Sequence, residues 1–303
     1  MRHPSLDFHP ADVLPLGELT LLWREVYANY PVPLPFTEDE LGRFIALSSI
    51  DLGLSQIAVV DDAPVGLSLS ARTADTAWIG GFGVVDSHRR TGVGLALIRH
   101  QCRELESAGV AAMRLEVMAA NRARRLYATA GFVDRRRLYS FNSPAVGRGG
   151  ADPLVVLQPD QLPALPRRLH VGASAAPWQR EIEGVMRAVE RDRLTILGWS
   201  REGRVAAYAV ELTSGGVSRL IDAAAEDERA AEALVASLAS RTRGRRLSLG
   251  DEPAESPIAQ ALRRFGAAPR TQRYEMMRLS AQLQTQAPRT AASRATSRER
   301  CAG

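Results

Sequence analysis

The chain has 303 residues, enough for two domains, and 45% of them are hydrophobic, as expected for packed globular cores. Its 39 basic residues are all arginine and face 34 acids, and much of the excess lies in 286–303, so a basic folded surface for nucleic acid is not indicated. No apolar run approaches the ~20 residues of a spanning helix, and the start lacks the apolar core of a signal peptide. We therefore expect a cytoplasmic protein with no membrane partner. Two cysteines and five histidines without ligand spacing predict no metal.

The first part of the chain alternates between strand and helix patterns. Three prolines at 31–35 must interrupt any helix, and Thr37 followed by Glu40 has the spacing of a capping box. The patterns predict, in chain order, a strand ending at 8–10, a helix at 11–27, a helix at 37–49, and a hairpin of 55–60 with 65–71.

An apolar run at 78–85 leads into the hexapeptide Arg89-Arg90-Thr91-Gly92-Val93-Gly94, after which apolar residues recur at helical spacing. A strand, a basic glycine-rich loop and a helix together describe an anion site, because backbone N–H groups and the helix dipole point at the anion. The loop of nucleoside triphosphatases requires a lysine, which the chain lacks. The dinucleotide fingerprint requires a third glycine, where this chain has Leu97.

The remaining pattern, Arg-x-x-Gly-x-Gly before a helix, resembles the GNAT superfamily of acyl-CoA-dependent N-acyltransferases. Three further marks of that family follow in order: Gly83-Val84-Val85, Leu115-Glu116-Val117 and Leu126-Tyr127-Ala128-Thr129-Ala130-Gly131-Phe132. The resemblance covers roughly residues 8–142. It implies a mixed α/β fold whose mostly antiparallel sheet has flanking helices and a splayed central strand pair.

The same resemblance implies acetyl-CoA as co-substrate and indicates which residues hold it. Val84 and Val85 would pair with the pantetheine arm, and the loop residues Arg89, Arg90, Thr91, Gly92, Val93 and Gly94 would hold the pyrophosphate. Asn121 stands one residue later than the family's asparagine, because Ala120 occupies that place. It is therefore expected either to contact CoA or to cap the next helix.

The chemistry implied by the resemblance needs a general acid and a general base. Tyr127 matches the family's tyrosine that protonates the leaving thiolate and also borders CoA. Glu116 matches a carboxylate proposed as base in related N-terminal acetyltransferases, although a strand glutamate can instead pair with an arginine. Tyr27 and Tyr30 precede the segment that usually walls the acceptor pocket.

A similar order of elements recurs after a glycine-rich stretch near residue 150, which indicates an internal repeat. The segment corresponding to the loop, 224–229, has no glycine and three acids, which oppose a pyrophosphate. Leu262 stands where Tyr127 stands in the first copy. We therefore expect a catalytic domain at 1–146, a linker at 147–153, a degenerate GNAT-like domain without a CoA loop at 154–282, and a disordered basic tail at 283–303.

Taken together, the residues and the resemblance that they carry imply an N-acetyltransferase that moves an acetyl group from acetyl-CoA to a primary amine by direct attack in a ternary complex. The acceptor is expected to be a small molecule or a peptide, and its identity, the acyl-chain preference and the oligomeric state are left open. Two alternatives remain: a non-catalytic acyl-CoA sensor or scaffold, and an RNA-associated acyltransferase that uses the arginine-rich tail.

Overall fold

The computed structural model describes residues 5–31, 34–143, 152–172, 175–214, 216–241 and 246–286. Most of the predicted linker, at 147–151, lies outside these residues, as does the predicted tail beyond residue 286. Within them, no helix is both long and apolar enough to cross a membrane.

The two halves of the chain, residues 5–143 and 152–286, have the same order of elements. The N-terminal half contains β1 (Leu6–Pro10), α1 (Leu16–Tyr27), α2 (Glu38–Ser48), β2 (Gln56–Val60), β3 (Ala63–Thr73), β4 (Thr76–Val84), α3 (Val93–Ser107), β5 (Ala112–Met118), α4 (Ala123–Thr129) and β6 (Val133–Ser143). The C-terminal half contains β7 (Val155–Leu157), α5 (Ala164–Leu169), α6 (Ile182–Asp192), β8 (Thr195–Arg201), β9 (Arg204–Ser214), β10 (Val217–Ala225), α7 (Glu228–Arg241), β11 (Arg246–Pro253), α8 (Pro257–Arg264) and β12 (Ala268–Leu279), followed by α9 (Ala281–Gln286). The repeated order agrees with the internal repeat read from the sequence.

Two helix starts show how the local sequence determines these elements. The Thr37 hydroxyl accepts from the Glu40 N–H at 3.2 Å, and Glu40 accepts from the Thr37 N–H at 2.8 Å, so the predicted capping box begins α2. The helix α1 begins at Leu16, later than the predicted residue 11, because Pro15 occupies its N-cap position after a separate short turn. A proline is tolerated there because the first helical N–H groups have no partner inside the helix.

The twelve strands form one sheet in the order β1-β2-β3-β4-β5-β12-β6-β11-β10-β9-β8-β7. The last strand of each half has crossed into the other half: β12 lies between β5 and β6, and β6 pairs on its far side with β11. The sequence did not predict this exchange. The division into two domains at 1–146 and 154–282 stays a prediction, since strands of both halves share one ladder.

The mixed α/β fold class, with a mostly antiparallel sheet and flanking helices, is confirmed. Along β5 the side chains alternate, so Leu115 and Val117 are buried in a core with residues of α3, whereas Glu116 points to the other face of the sheet. The site described next lies where β4 and β5 separate.

Candidate active site

The strands β4 and β5 form a splayed pair. They are paired in parallel only where residues 76–78 lie beside residues 112–114, after which no pairing joins them. The register of β4 against β3 also shifts at Gly80. A Cβ atom at Gly80 would lie 2.0 Å from the ring of Trp78, so only glycine leaves room for the indole here. The result is a gap between the strands whose β4 edge carries unpaired backbone groups.

Backbone groups on the β4 edge point alternately to β3 and to the gap. The N–H of Val85 donates to the carbonyl of Val65 in β3 at 2.9 Å. Because successive N–H groups along a strand point to opposite edges, those of Val84 and Phe82 face the gap. Of the two valines predicted to contact CoA, only Val84 therefore offers its N–H to a ligand.

The glycine-rich loop presents a row of free N–H groups. Arg90 and Gly92 have positive φ angles of 65° and 96°, and α3 follows immediately. The first N–H of this helix with a backbone acceptor is that of Ala96, which donates to Gly92 at 3.0 Å. For the N–H groups of 90–95 no acceptor occurs among the described residues. Since residues 90–92 are also exposed, the predicted loop has the geometry of an anion cradle.

Arg89 has a different role from its neighbours in the loop. Its guanidinium donates to the carbonyls of Val84 at 3.0 Å and Val26 at 2.8 Å, and it forms an ion pair with Asp86 at 2.5 Å. Its side chain therefore ties the loop to the end of β4 and to α1. The sequence placed Arg89 among the CoA-binding residues, and the structure adds this internal function for its side chain.

Tyr127 projects from α4 into the gap. Its ring is buried and lies edge-on to Phe82, with 5.5 Å between the centroids. The hydroxyl has no hydrogen-bond partner within the described part of the chain. Burial raises the pKa of Tyr127 well above its ordinary value, and the neighbouring Tyr27 and Tyr30 add to that effect. The site thus holds a protonated phenol with a free O–H.

The predicted acceptor-wall residues Tyr27 and Tyr30 lie close enough to Tyr127 to help raise its pKa. Their rings meet edge-on at 5.3 Å. The hydroxyl of Tyr27 accepts from the N–H of Phe82 at 3.0 Å and lies 3.4 Å from the carbonyl of the same residue. It therefore caps the gap-facing edge of β4, which the sequence did not predict.

The Glu116 carboxylate accepts two hydrogen bonds at one oxygen, while its other oxygen has no donor among the described residues. Its Oε2 accepts from Trp78 Nε1 at 2.7 Å and from Gln179 Nε2 at 3.0 Å. Its Oε1 is buried without a partner among the described residues. Burial raises the pKa of Glu116 to about 7, although both hydrogen bonds act to lower it. The alternative of a simple pairing with arginine is not what the structure shows, since no described arginine forms an ion pair with this carboxylate.

Asn121 caps the turn that leads into α4, because Arg122 between them already has helical φ and ψ angles of −60° and −23°. Its Oδ1 accepts from the N–H of Ala123 at 2.9 Å. The shortened turn before Tyr127 therefore still begins the helix. The cap accounts for one of the two expected roles, and a contact between the remaining amide group and CoA stays a prediction.

The C-terminal half contributes a segment to the site that sequence reasoning missed. We call this segment, 178–181, the bridge. Trp178 stacks on Trp78 with 6.1 Å between the ring centroids, and Gln179 bonds Glu116 as described. Glu181 pairs with Arg114 of β5. A tryptophan in a stretch without strand or helix periodicity was the one available signal.

The corresponding gap of the C-terminal half is filled. The strands β10 and β11 pair in parallel over residues 217–220 and 246–249 and then separate. Arg180 of the bridge enters there and donates to Asp222 at 2.8 Å, to the Ala223 carbonyl at 2.6 Å and to Glu252. These three acceptor residues, Asp222, Ala223 and Glu252, are all buried. A buried guanidinium therefore occupies the place that stays open between β4 and β5.

Residues 19–132 match the model of the acetyltransferase (GNAT) family. Among solved structures, the chain is similar to a GCN5-related N-acetyltransferase from Anabaena variabilis, with a TM-score of 0.66 and 13% identity over 91% of this chain and 73% of that one. A GCN5-related N-acetyltransferase from Sphaerobacter thermophilus gives a TM-score of 0.63 and 13% identity over 90% of this chain and 95% of that one.

A tandem GNAT protein from the clavulanic acid biosynthesis pathway gives a TM-score of 0.57 and 15% identity, and the alignment covers 91% of this chain and 98% of that one. No curated protein sequence matches the chain. At these identities the solved structures show the fold, while the family model covers the residues that form the loop, β5 and α4. Residues 19–132 of the chain are thus similar to an acetyltransferase domain of the GNAT family.

Proposed function

We propose that this protein is an N-acetyltransferase that transfers the acetyl group of acetyl-CoA to a primary amine, with Tyr127 as general acid and Glu116 as general base. One observation carries the proposal: a buried phenol with a free O–H stands in the β4–β5 gap, beside a loop whose N–H groups have no acceptor among the described residues. The family assignment supports acyl transfer from an acyl-CoA in general.

The residues present fit the CoA moiety. The unpaired N–H groups at 90–94 suit a pyrophosphate, and a Cβ placed on Gly92 would meet nothing within 4 Å, so the approach to the loop is open. The gap-facing N–H of Val84 suits an amide carbonyl of the pantetheine arm. Bound in this way, acetyl-CoA supplies an activated acetyl group.

Two side chains of the protein then transfer one proton each, Glu116 as acceptor and Tyr127 as donor. The amine nitrogen forms a bond to the acetyl carbon while the carbon–sulfur bond breaks and its electron pair leaves with sulfur. Glu116, with a pKa of about 7, takes a proton from the amine, directly or through water. Tyr127 holds its own proton at neutral pH and gives it to the departing sulfur, so one proton is gained and one is lost by the protein.

The acceptor is a primary amine carried by a small molecule or a peptide. Tyr27 and Tyr30 supply aromatic rings near the gap, and Gln179 of the bridge contacts Glu116 from the C-terminal half. This arrangement gives the C-terminal half, which lacks its own open gap, a part in closing the acceptor site.

The test is release of the CoA thiol from acetyl-CoA against a panel of primary amines, with the wild type beside Gly92→Asp and Gly92→Asn. Gly92 has a left-handed conformation, and asparagine and aspartate tolerate that conformation better than most residues. The two variants therefore have nearly the same shape and differ in charge.

We expect Gly92→Asp to lose CoA binding by at least ~10-fold relative to Gly92→Asn, because the added carboxylate faces the anion site at short range. Calorimetry with CoA measures this directly. Equal binding by the two variants would show that the loop does not hold the pyrophosphate. CoA binding without thiol release against any amine would instead indicate a sensor.

A further inference from the structure

Two buried acceptor atoms beside the gap are left without donors. Oε1 of Glu116 and Oε1 of Gln179 both lack a partner among the described residues. Their other terminal atoms are bonded to each other, Gln179 Nε2 to Glu116 Oε2 at 3.0 Å. The two free oxygens therefore belong to one joined pair of side chains. Buried acceptors without donors cost free energy, so a site of this kind is suited to a ligand that brings N–H groups.

Gln179 is fixed in place by the residues on either side of it. Trp178 stacks on Trp78 and donates from Nε1 to the Ser48 carbonyl at 3.3 Å. Arg180 is anchored in the C-terminal gap by Asp222 and by the Ala223 carbonyl. An ionised carboxylate only accepts hydrogen bonds, so the amide must turn its N–H group to Glu116 and its oxygen away.

The Glu116 carboxylate receives its hydrogen bonds from two uncharged side chains, Trp78 and Gln179. Glu275 lies directly opposite on β12, and Asp251 lies on β11; both act to raise the Glu116 pKa. The arginines nearby are engaged elsewhere: Arg114 bonds Glu181, and Arg136 bonds Glu275 at 2.8 Å. Trp78 and Gln179 therefore supply the hydrogen bonds that stabilise the ionised form of Glu116.

We propose that Gln179 of the C-terminal half is a residue of the acceptor site, whose N–H fixes the Glu116 carboxylate and whose Oε1, together with Glu116 Oε1, receives the two N–H groups of a primary amine. A neutral primary amine has two N–H groups and one lone pair, so this pair of acceptors leaves the lone pair free to attack. The inference rests on the proposed function, because it takes Glu116 as the base. It makes the C-terminal half a direct participant in acceptor selection.

The test compares Gln179→Met with the matched control Gln260→Met. Methionine keeps the length and unbranched shape of glutamine. Gln260 is a partly buried glutamine of the same half whose side chain donates to the Glu255 carbonyl at 3.4 Å. The first readout is the Glu116 pKa, from carbon NMR of ¹³C-labelled glutamate with Glu116→Gln to identify the signal.

We expect the Glu116 pKa to rise by about one unit in Gln179→Met, because one hydrogen bond to the ionised form is lost, and to stay unchanged in Gln260→Met. The second readout is the shift of the same NMR signal when benzylamine or N-methylbenzylamine is added. The wild type should prefer the primary amine by ~3–10-fold, and Gln179→Met should lose that preference.

An unchanged Glu116 pKa in Gln179→Met would overturn the proposal, and so would equal binding of the two amines by the wild type. A third outcome is a raised Glu116 pKa in Gln179→Met together with unaltered thiol release at pH 7. In that case Gln179 is placed as proposed, while Glu116 is not the base, and it is the proposed mechanism that fails.

Discussion

The indole of Trp78 is predicted to lower the pKa of Glu116, the proposed general base. Its Nε1–H donates to Glu116 Oε2 at 2.7 Å, a short contact to an atom that also receives Gln179. Trp78→Phe removes this donor and keeps an aromatic ring in the strand. Because the lost hydrogen bond favoured the ionised form, the Glu116 pKa should rise above its wild-type value of about 7.

The size of the effect follows from the strength of such a bond. A hydrogen bond to a charged group contributes ~1.5–3 kcal/mol, and one pKa unit corresponds to about 1.4 kcal/mol. The Glu116 pKa should therefore rise by at least about one unit in Trp78→Phe. At pH 7 about half of the wild-type carboxylates are ionised, against about a tenth in the variant, so kcat/KM should fall by ~5-fold there. By pH 9 most of the loss should be recovered.

The assay is kcat/KM for thiol release between pH 6 and pH 9, expressed as the ratio of variant to wild type with one amine. This ratio cancels the ionisation of the amine itself. Trp199→Phe is the matched control, because its Nε1 donates to a carboxylate of the C-terminal half, Asp152, at 3.1 Å. A loss in Trp78→Phe that is the same at every pH would refute the reasoning, since it would reflect packing and not proton affinity.

Two further predictions concern the acid and the strand exchange. Tyr127→Phe should lower kcat by ~10–1000-fold with little change in CoA affinity, since one acid–base group is lost while the loop is intact. Thiol release measures kcat, and calorimetry measures the CoA affinity. Unaltered turnover would remove Tyr127 from the mechanism. A chain ended after residue 151 lacks β12 and leaves the facing edges of β5 and β6 unpaired. We expect this fragment to show no cooperative unfolding transition by circular dichroism, in contrast to the full chain, and a sharp transition would show that the N-terminal half folds without β12.

The sequence predicted the parts of the site that are encoded locally. The capping box at Thr37 and the glycine loop at 89–94 each depend on residues a few positions apart, and both are present as predicted in backbone geometry. The placement of Glu116 on the face opposite Leu115 follows from strand alternation alone. Such features need no knowledge of distant partners.

The sequence could not predict contacts that depend on which distant segments meet. The strands β6 and β12 both mix apolar and polar residues, and nothing in either sequence indicates which of them lies beside β5. The hydrogen bond between Gln179 and Glu116 joins residues 63 positions apart. Arg89 was assigned to CoA by its motif, yet its guanidinium bonds two carbonyls of the protein. A motif indicates where a residue lies, and the tertiary structure decides what its side chain contacts.

The two strand gaps explain why the second copy of the unit keeps its fold without an open site. In the N-terminal half, a ligand arm can satisfy the exposed edge of β4. In the C-terminal half, Arg180 donates to a carbonyl of the equivalent edge, and its guanidinium forms ion pairs with Asp222 and Glu252, which are buried beside it. The residue that fills the second gap is adjacent in sequence to Gln179, which reaches Glu116. The same short segment therefore fills the C-terminal gap and contacts Glu116 beside the N-terminal one.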